Sequence, residues 1–211
     1  MKNTIIKPKI SKYITKTLIN NIKVDDKLLD LSLEEETIKN YNIRNLEVDG
    51  CCFKKIDFNN NNFDKISITD SIFIDCDLSN IDYSINSIIR CEFINCKLIG
   101  LSLTSTHLKD VSFTNCNLLY SNFVNTSLKS IMFSNCNLER IRIYENNFNF
   151  ITFNNCNLTK SEIINTPLKD IDLSNCSILN MKFDLKEIDG LIVNTYQASD
   201  IARSLGLVIK E

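Results

Sequence analysis

One phrase recurs at a fixed distance in the chain: Phe113-Thr-Asn-Cys-Asn-Leu118, Phe133-Ser-Asn-Cys-Asn-Leu138 and Phe153-Asn-Asn-Cys-Asn-Leu158. Within each copy the two apolar ends are five residues apart, and this spacing continues outward in both directions. Stepping by five from Leu28 to Val193 gives 34 positions, and every one of them is apolar. A period of five matches neither a helix nor a strand. It predicts a coil in which each five-residue segment forms one side and the chain turns between segments.

A second period of 20 residues predicts that four segments close one coil and that residues 20 apart stack on each other. One inward-facing column contains Phe53, Phe73, Phe93, Phe113, Phe133 and Phe153. Another, two residues before an apolar centre on the following side, contains Cys76, Cys96, Cys116, Cys136, Cys156 and Cys176. Residues 26–193 make about eight such coils. The predicted fold class is therefore an all-β solenoid, a four-sided β-helix with four pentapeptides per coil.

The composition agrees with a fold that turns without glycine or proline. The chain has only 4 Gly and 2 Pro, but 29 Asn. Asparagine tolerates the positive φ that the third position of a corner turn often needs. We therefore expect positive φ in one column, with the amide side chains hydrogen-bonded along it. That column contains Asn95, Asn115, Asn135, Asn155 and Asn175.

The chain divides into three parts. Residues 1–25 form a basic N-terminal segment or cap, and the repeats of residues 26–193 are less regular before about residue 46, because Asp26 and Glu36 fall at inward positions. Residues 194–211 lose the period of five. Asn194 and Gln197 resemble a helix N-cap with its capping-box partner, and Gly206 suits the stop, so a short C-terminal α-helix of about ten residues is predicted.

The charge and hydropathy exclude several classes of protein. The formal net charge is −2 with a pI near 5.6, so no direct nucleic-acid binding is expected. No apolar run approaches the length of a membrane span, and Lys residues interrupt the N-terminal segment, which argues against a signal peptide or membrane association. The scarcity of glycine argues against a nucleotide-binding protein with a glycine-rich phosphate-binding loop.

The residue types that most often act in catalysis or metal binding, Cys and His, lie at positions that favour a structural role. Eight of the nine Cys lie at inward positions, where a free thiol packs well, and this interpretation is favoured over a disulfide or a metal site. Reduced thiols indicate a cytoplasmic protein. His107 faces outward with no nucleophile beside it. We therefore expect no catalytic residues, no metal and no cofactor, and the protein is predicted not to be an enzyme.

Two further columns remain. One is polar and inward-facing, and its members are expected to bond to corner backbone groups: Asn86, Thr106, Thr126, Asn146 and Thr166. The other is an outward apolar stripe of Val124, Tyr144 and Ile164, which we consider a candidate binding surface.

The repeating phrase resembles the pentapeptide repeat family over roughly residues 46–193. That resemblance implies a right-handed quadrilateral β-helix. Tyr196-Gln-Ala-Ser199 and Leu205-Gly-Leu-Val-Ile209 additionally resemble the end of quinolone-resistance pentapeptide proteins of the Qnr type. In that family this segment is a helix that joins two copies tail to tail. The resemblance implies a homodimer interface at Tyr196, Ala198, Ile201, Ala202, Leu205, Leu207 and Ile209.

The same resemblance implies a bacterial DNA mimic that binds DNA gyrase or topoisomerase IV. Two features depart from the family: no loop interrupts the repeats, and bases are mixed with acids along the rod. The first functional hypothesis is therefore a non-enzymatic dimeric rod that engages a type II topoisomerase. The alternative is a structural or protein-interaction scaffold with an unrelated partner, bound through the stripe of Val124, Tyr144 and Ile164.

Overall fold

The structure is a computed structural model, and it describes residues 4–18, 27–38, 42–59, 61–84 and 86–210. The chain forms a parallel β-solenoid of about eight turns, with a single α-helix at the C-terminal end of the described residues. Strand partners are 20 residues apart, as in Phe93 beside Phe113 and Phe113 beside Phe133. The prediction of four five-residue segments per coil is therefore confirmed.

Each coil has four faces, which we number in chain order. Face 1 contains β3 (Leu31–Glu34), β6 (Cys52–Lys54) and β9 (Ile72–Ile74), and face 4 contains β2 (Leu28–Leu29), β5 (Glu47–Asp49) and β8 (Ser67–Thr69). Longer strands run around the corner from face 4 to face 1 of the next coil: β10 (Ser87–Ile94), β11 (His107–Thr114), β13 (Ser127–Ser134) and β15 (Phe148–Asn154).

The other two faces have shorter pairings. Face 3 contains β4 (Asn42–Arg44), β7 (Asn62–Asp64), β12 (Asn122–Val124), β14 (Arg142–Tyr144), β16 (Glu162–Ile164) and β17 (Lys182–Phe183). Face 2 is joined by isolated bridges that run from Thr37 to Ser177. A 3-10 helix, Leu185–Glu187, follows β17. Pairing at an offset of 20 residues begins at Leu28, so regular coils start well before residue 46. Asp26 lies outside the described residues, as do residues 19–25 of the predicted N-terminal segment.

The chain turns at residues in the left-handed backbone conformation, and among the described residues these recur at five-residue intervals from Asp30 to Gly190, except at Asn175 and Leu185. Positive φ is found at Asn95, Asn115, Asn135 and Asn155, as predicted, with values of 51–55°. The same conformation occurs at corners occupied by Asp, Lys, Arg, Ser, Glu, Tyr and Phe. Asn175 is the exception to the prediction, since its φ is not positive. At that corner the C-terminal helix contacts the backbone, because Asn194 Nδ2 donates to the carbonyl oxygen of Ser174 (2.8 Å).

The interior is a stack of identical side chains. The Phe column from residue 53 to residue 153 is buried, and neighbouring ring centroids lie 4.8–5.2 Å apart with nearly parallel planes. This spacing matches the distance between hydrogen-bonded strands. The Cys column from residue 76 to residue 176 is also buried. Burial of aromatic and thiol side chains in register makes one continuous apolar core along the solenoid axis.

The inward-facing polar side chains of the column from Asn86 to Thr166 are hydrogen-bonded, as predicted. Thr106 Oγ1 donates to the carbonyl oxygen of Tyr83 (2.8 Å), and Thr126 Oγ1 donates to that of Leu103 (2.8 Å). Asn146 Nδ2 donates to the carbonyl oxygen of Phe123 (2.7 Å). On the outside, Asn115 Nδ2 donates to Asn95 Oδ1 (3.2 Å) and Asn155 Nδ2 donates to Asn135 Oδ1 (3.5 Å), so the expected amide ladder forms at two of its steps.

Residues 4–18, which we call the N-terminal strap, lie along the corner between faces 4 and 1. The Ile6 N–H donates to Asp110 Oδ1 (3.3 Å), and the Lys9 N–H donates to Asp70 Oδ1 (3.0 Å). Further on, β1 (Thr15–Lys16) adds a strand beside β3. The strap therefore crosses several coils and covers part of the exposed edge of the first coil.

The strap is attached to an ion pair that is largely buried. Arg90 donates two hydrogen bonds to the Asp70 carboxylate (2.7 and 2.6 Å). Burial alone raises the pKa of Asp70, but the hydrogen bonds from Arg90 and the Lys9 N–H outweigh it and hold this pKa below its ordinary value. A lowered carboxyl pKa stabilises the folded state at neutral pH, and this stabilisation is lost as the pH falls through the lowered pKa.

We expect Asp70→Asn to release the strap. The substitution keeps the shape but removes the charge, and it leaves the Arg90 guanidinium without its carboxylate, at a cost of about 1.5–3 kcal/mol. Trypsin should then cleave after Lys9 and Lys12 roughly ten times faster at pH 7, since 1.4 kcal/mol corresponds to a factor of ten. The matched control is Asp170→Asn, at an exposed corner with the same backbone conformation (φ 62°). Equal cleavage rates in the two variants would contradict this attachment.

Candidate interaction surfaces

The C-terminal helix α1 (Thr195–Ser204) has the boundaries that the sequence predicted. Asn194 Oδ1 accepts from the Gln197 N–H (3.0 Å), and Gln197 Oε1 accepts from the Asn194 N–H (2.8 Å), which completes a capping box. Gly206 ends the helix with φ +86°. Its N–H donates to the carbonyl oxygen of Arg203 (2.9 Å), and the Leu207 N–H donates to that of Ala202 (3.1 Å). This pattern is a Schellman motif, which glycine at this position favours.

Gln197 also fastens the helix to the last coil. Its side chain is buried, and Nε2 donates to the carbonyl oxygens of Leu173 (2.8 Å) and Cys176 (2.7 Å). Carbonyl groups at the end of a solenoid have no following coil to pair with, and an unpaired sheet edge promotes association with other chains. The amide of Gln197 satisfies two of these groups. Sequence analysis identified only the capping role of Gln197, because docking depends on the position of a coil 20 residues earlier.

The residues predicted for the dimer interface have different environments. Tyr196 is 86% exposed, Leu205 49%, Leu207 61% and Ile209 37%. Ala198 is also exposed, whereas Ala202 is half-buried and Ile201 packs against the core. Val208, which the prediction omitted, is 89% exposed. The tail after the helix is therefore an apolar surface in contact with solvent, and Ile201 stabilises the docking of the helix.

The stripe of Val124, Tyr144 and Ile164 lies on face 3, where β12, β14 and β16 pair in register. All three side chains are half-buried. The Tyr144 hydroxyl donates a hydrogen bond to Glu162 Oε2, which raises the pKa of Tyr144. The stripe is thus a partly exposed apolar column with one polar neighbour, and its apolar area is modest.

The thiols are structural in this arrangement. All nine Cys are free, and eight are buried. Burial raises the pKa of Cys91 to about 12 and that of Cys51 to about 11, so these thiols are protonated at neutral pH and are poor nucleophiles. Within the described residues, no three side chains of His, Cys, Asp and Glu are placed to hold a metal ion. His107 is exposed, and its Nδ1 lies 3.0 Å from Ser127 Oγ.

Six acidic side chains on the rod are paired with basic ones from the neighbouring coil. The pairs, with their N–O distances, are Lys27–Glu47 (2.6 Å), Lys54–Glu34 (2.6 Å), Lys55–Glu35 (2.7 Å), Arg90–Asp70 (2.6 Å), Lys97–Asp77 (3.8 Å) and Lys182–Glu162 (2.7 Å). Exposed ion pairs contribute about 0–1 kcal/mol each to stability. The pairs also determine the surface charge that a binding partner meets, since alternating signs prevent a long negative stripe from forming at these positions.

The geometry defines a β-solenoid of five-residue repeats with a helical cap at its C-terminal end. Residues 86–163 match the family model of the pentapeptide repeat region. Among curated proteins, no sequence matches the chain. No helix in the described ranges is both long enough and apolar enough to cross a membrane.

Solved structures with a similar fold include two of QnrB1, a plasmid-mediated fluoroquinolone resistance protein. A trypsin-treated variant is 19% identical, with 93% of this chain and 96% of that chain covered and a TM-score of 0.40. The full-length protein is 20% identical, with 86% and 99% covered and a TM-score of 0.40. HetL, a pentapeptide repeat protein involved in heterocyst differentiation regulation from the cyanobacterium Nostoc, is 12% identical, with 80% and 92% covered and a TM-score of 0.36.

Proposed function

We propose that this protein is a non-enzymatic binding rod that works as a homodimer joined through its C-terminal tail. The observation that carries this proposal is the exposed apolar tail. Leu205, Leu207 and Val208 are 49%, 61% and 89% exposed and follow one another beside a docked helix. Contiguous patches of exposed apolar side chains mark sites of interaction with other proteins. Symmetric pairing through one such patch would cover it in both copies.

Leu205→Asp should convert the dimer to a monomer, because a buried carboxylate without a partner is strongly unfavourable in an apolar interface. Native mass spectrometry and sedimentation measure the change directly, and circular dichroism should show an intact solenoid. The matched control is Leu29→Asp in β2, at the other end of the rod, where the leucine has almost the same exposure (48%). An intact dimer in Leu205→Asp would contradict the assignment of the tail.

The first candidate partner is a bacterial type II topoisomerase in the cytoplasm, either DNA gyrase or topoisomerase IV. The resemblance of Tyr196-Gln-Ala-Ser199 and the following tail to Qnr-type proteins supports this choice, and so do the free thiols, which suit a reducing compartment. Mimicry of DNA by charge alone has less support, because acids such as Asp70, Asp77 and Glu162 are paired with bases. We therefore assign the contact to the shape of the rod and to the stripe of Val124, Tyr144 and Ile164.

A gyrase supercoiling assay, with and without a quinolone, tests this partner. The protein at micromolar concentration should inhibit supercoiling or protect it from the drug, and Val124→Asp should weaken the effect about tenfold, since a charge in an apolar contact is costly. Thr104→Asp is the control, because Thr104 occupies the equivalent outward position one coil earlier.

If the wild-type protein neither inhibits supercoiling nor protects it from the drug, the topoisomerase proposal is contradicted. The alternative function, a scaffold for an unrelated protein bound through the same stripe, would then account for the half-exposed apolar column of Val124, Tyr144 and Ile164.

A further inference from the structure

A basic depression with a volume of about 320 Å³ lies at the corner between faces 2 and 3, toward the C-terminal end of the rod. It is lined by Tyr120, Arg140, Arg142, Lys160, Glu162, Asn180 and Lys182. None of these residues belongs to the tail or to the apolar stripe. The depression therefore has its own lining residues, and it adjoins the stripe where Glu162 accepts a hydrogen bond from the Tyr144 hydroxyl.

Two columns of the solenoid supply its basic side chains. Arg140 and Lys160 are successive corner residues, both with left-handed backbone (φ 55° and 56°). The Arg140 N–H donates to the carbonyl oxygen of Thr159 (3.1 Å), which keeps the two corners in register. Arg142 and Lys182 lie on β14 and β17, with Glu162 of β16 between them. Because coils repeat about every 4.8 Å, the four cations are distributed over three coils.

The positive charges outnumber the negative ones. Lys182 Nζ lies 2.7 Å from Glu162 Oε1, and Arg142 Nε lies 4.0 Å from Glu162 Oε2. Arg140 Nε lies 3.6 Å from Glu139 Oε1. Lys160 makes no ion pair with any residue that the structure describes. Two carboxylates therefore face four cations, and one of the cations is unpaired.

Glu162 remains ionised in this setting. The hydrogen bond from Lys182 lowers the pKa of Glu162, and the hydrogen bond from the Tyr144 hydroxyl lowers it further. The depression therefore keeps a net positive charge at neutral pH because of the excess of lysine and arginine, and protonation of Glu162 contributes nothing to it. This charge is concentrated in a concave site, where anions are attracted more strongly than on a flat surface.

Tyr120 shapes the wall of the depression. The Arg140 guanidinium carbon lies 5.5 Å from the centroid of the Tyr120 ring, within the range of a cation–π contact. This contact restricts the guanidinium group, and a restricted guanidinium loses less entropy when it binds an anion. Its remaining N–H groups are available for a ligand, and the Asn180 amide lines the same depression.

We propose that this depression binds an oligophosphate chain, either free or as part of a nucleoside triphosphate. Arginine and lysine together form charge-assisted hydrogen bonds with phosphate oxygens. A single phosphate cannot contact cations distributed over three coils, whereas a chain of linked phosphates can run along the columns. The rod axis thus sets the direction of the bound chain.

The test is isothermal titration calorimetry of the full chain with tripolyphosphate at an ionic strength of about 0.05 M, where screening is weak. Arg140→Gln with Lys160→Gln should weaken binding about tenfold or more, because two charge-assisted contacts are lost. The matched control is Lys109→Gln with Lys129→Gln, which removes the same charge from two residues that are also one coil apart. The control should change the affinity by less than about twofold, since these lysines act only at long range.

Glu162→Gln should have the opposite effect on the affinity for tripolyphosphate. It removes a competing carboxylate and frees Lys182 and Arg142, so tripolyphosphate should bind several-fold more tightly. Sulfate at matched concentration should bind at least about ten times more weakly than tripolyphosphate, since it offers one anionic group. Adenosine triphosphate distinguishes the two sources: an affinity equal to that of tripolyphosphate indicates recognition of the chain alone, and a tighter one indicates a nucleotide.

Three results would overturn the proposal. The first is the absence of tripolyphosphate binding to the wild-type protein. The second is equal weakening by the two double variants, which would indicate attraction to net charge rather than to this depression. The third is equal affinity for sulfate and tripolyphosphate, which would exclude a chain-shaped ligand.

Discussion

The left-handed backbone conformation that recurs at five-residue intervals is the constraint on which the rest of the structure depends. Each such residue turns the chain through one corner, and four corners return it to the same face one coil later. Residues other than glycine adopt this conformation at a cost of about 1–2 kcal/mol each. The cost is offset because each coil then forms parallel backbone hydrogen bonds with its neighbours and buries apolar side chains in a continuous core.

Once the corners are fixed, every surface of the rod becomes a column with a step of 20 residues. Stacked phenylalanine rings, amide ladders and ion pairs all join residues 20 positions apart, and they differ only in the side chains that meet. The arrangement also creates two ends with unpaired backbone groups. The strand β1 of the N-terminal strap adds to the first coil, and Gln197 donates to carbonyl groups of the last one. Both ends are therefore partly covered by segments that are not repeats.

Much of this architecture could be predicted because it is periodic. The spacing of five gave the faces, the spacing of 20 gave the columns, and Asn194, Gln197 and Gly206 gave the helix with its correct boundaries. The prediction of positive φ was too narrow, since it was made for one asparagine column, whereas the fold also places Lys160 and Phe150 in the left-handed conformation. A cooperative array of coils can impose this conformation on residues that disfavour it in isolation.

The remaining features could not be predicted, because they join residues that no period relates. The contact of Ile6 with Asp110 spans 104 positions, and nothing in the local sequence of the strap indicates its path. The basic depression could not be predicted from the sequence for a related reason. Mixed charges along the rod were apparent from the sequence, but the proximity of Arg142 and Lys182 to Arg140 and Lys160 depends on how two faces meet at a corner.

The most direct test of this account compares valine at two adjacent outward positions. Residue 115 has φ +55°, which a β-branched side chain strongly disfavours, whereas Thr114 is the last residue of β11. Equilibrium urea unfolding should show that Asn115→Val loses about 1–2 kcal/mol or more, while Thr114→Val changes stability by less than about 0.5 kcal/mol. Equal stabilities of the two variants would contradict the central role of the left-handed corner.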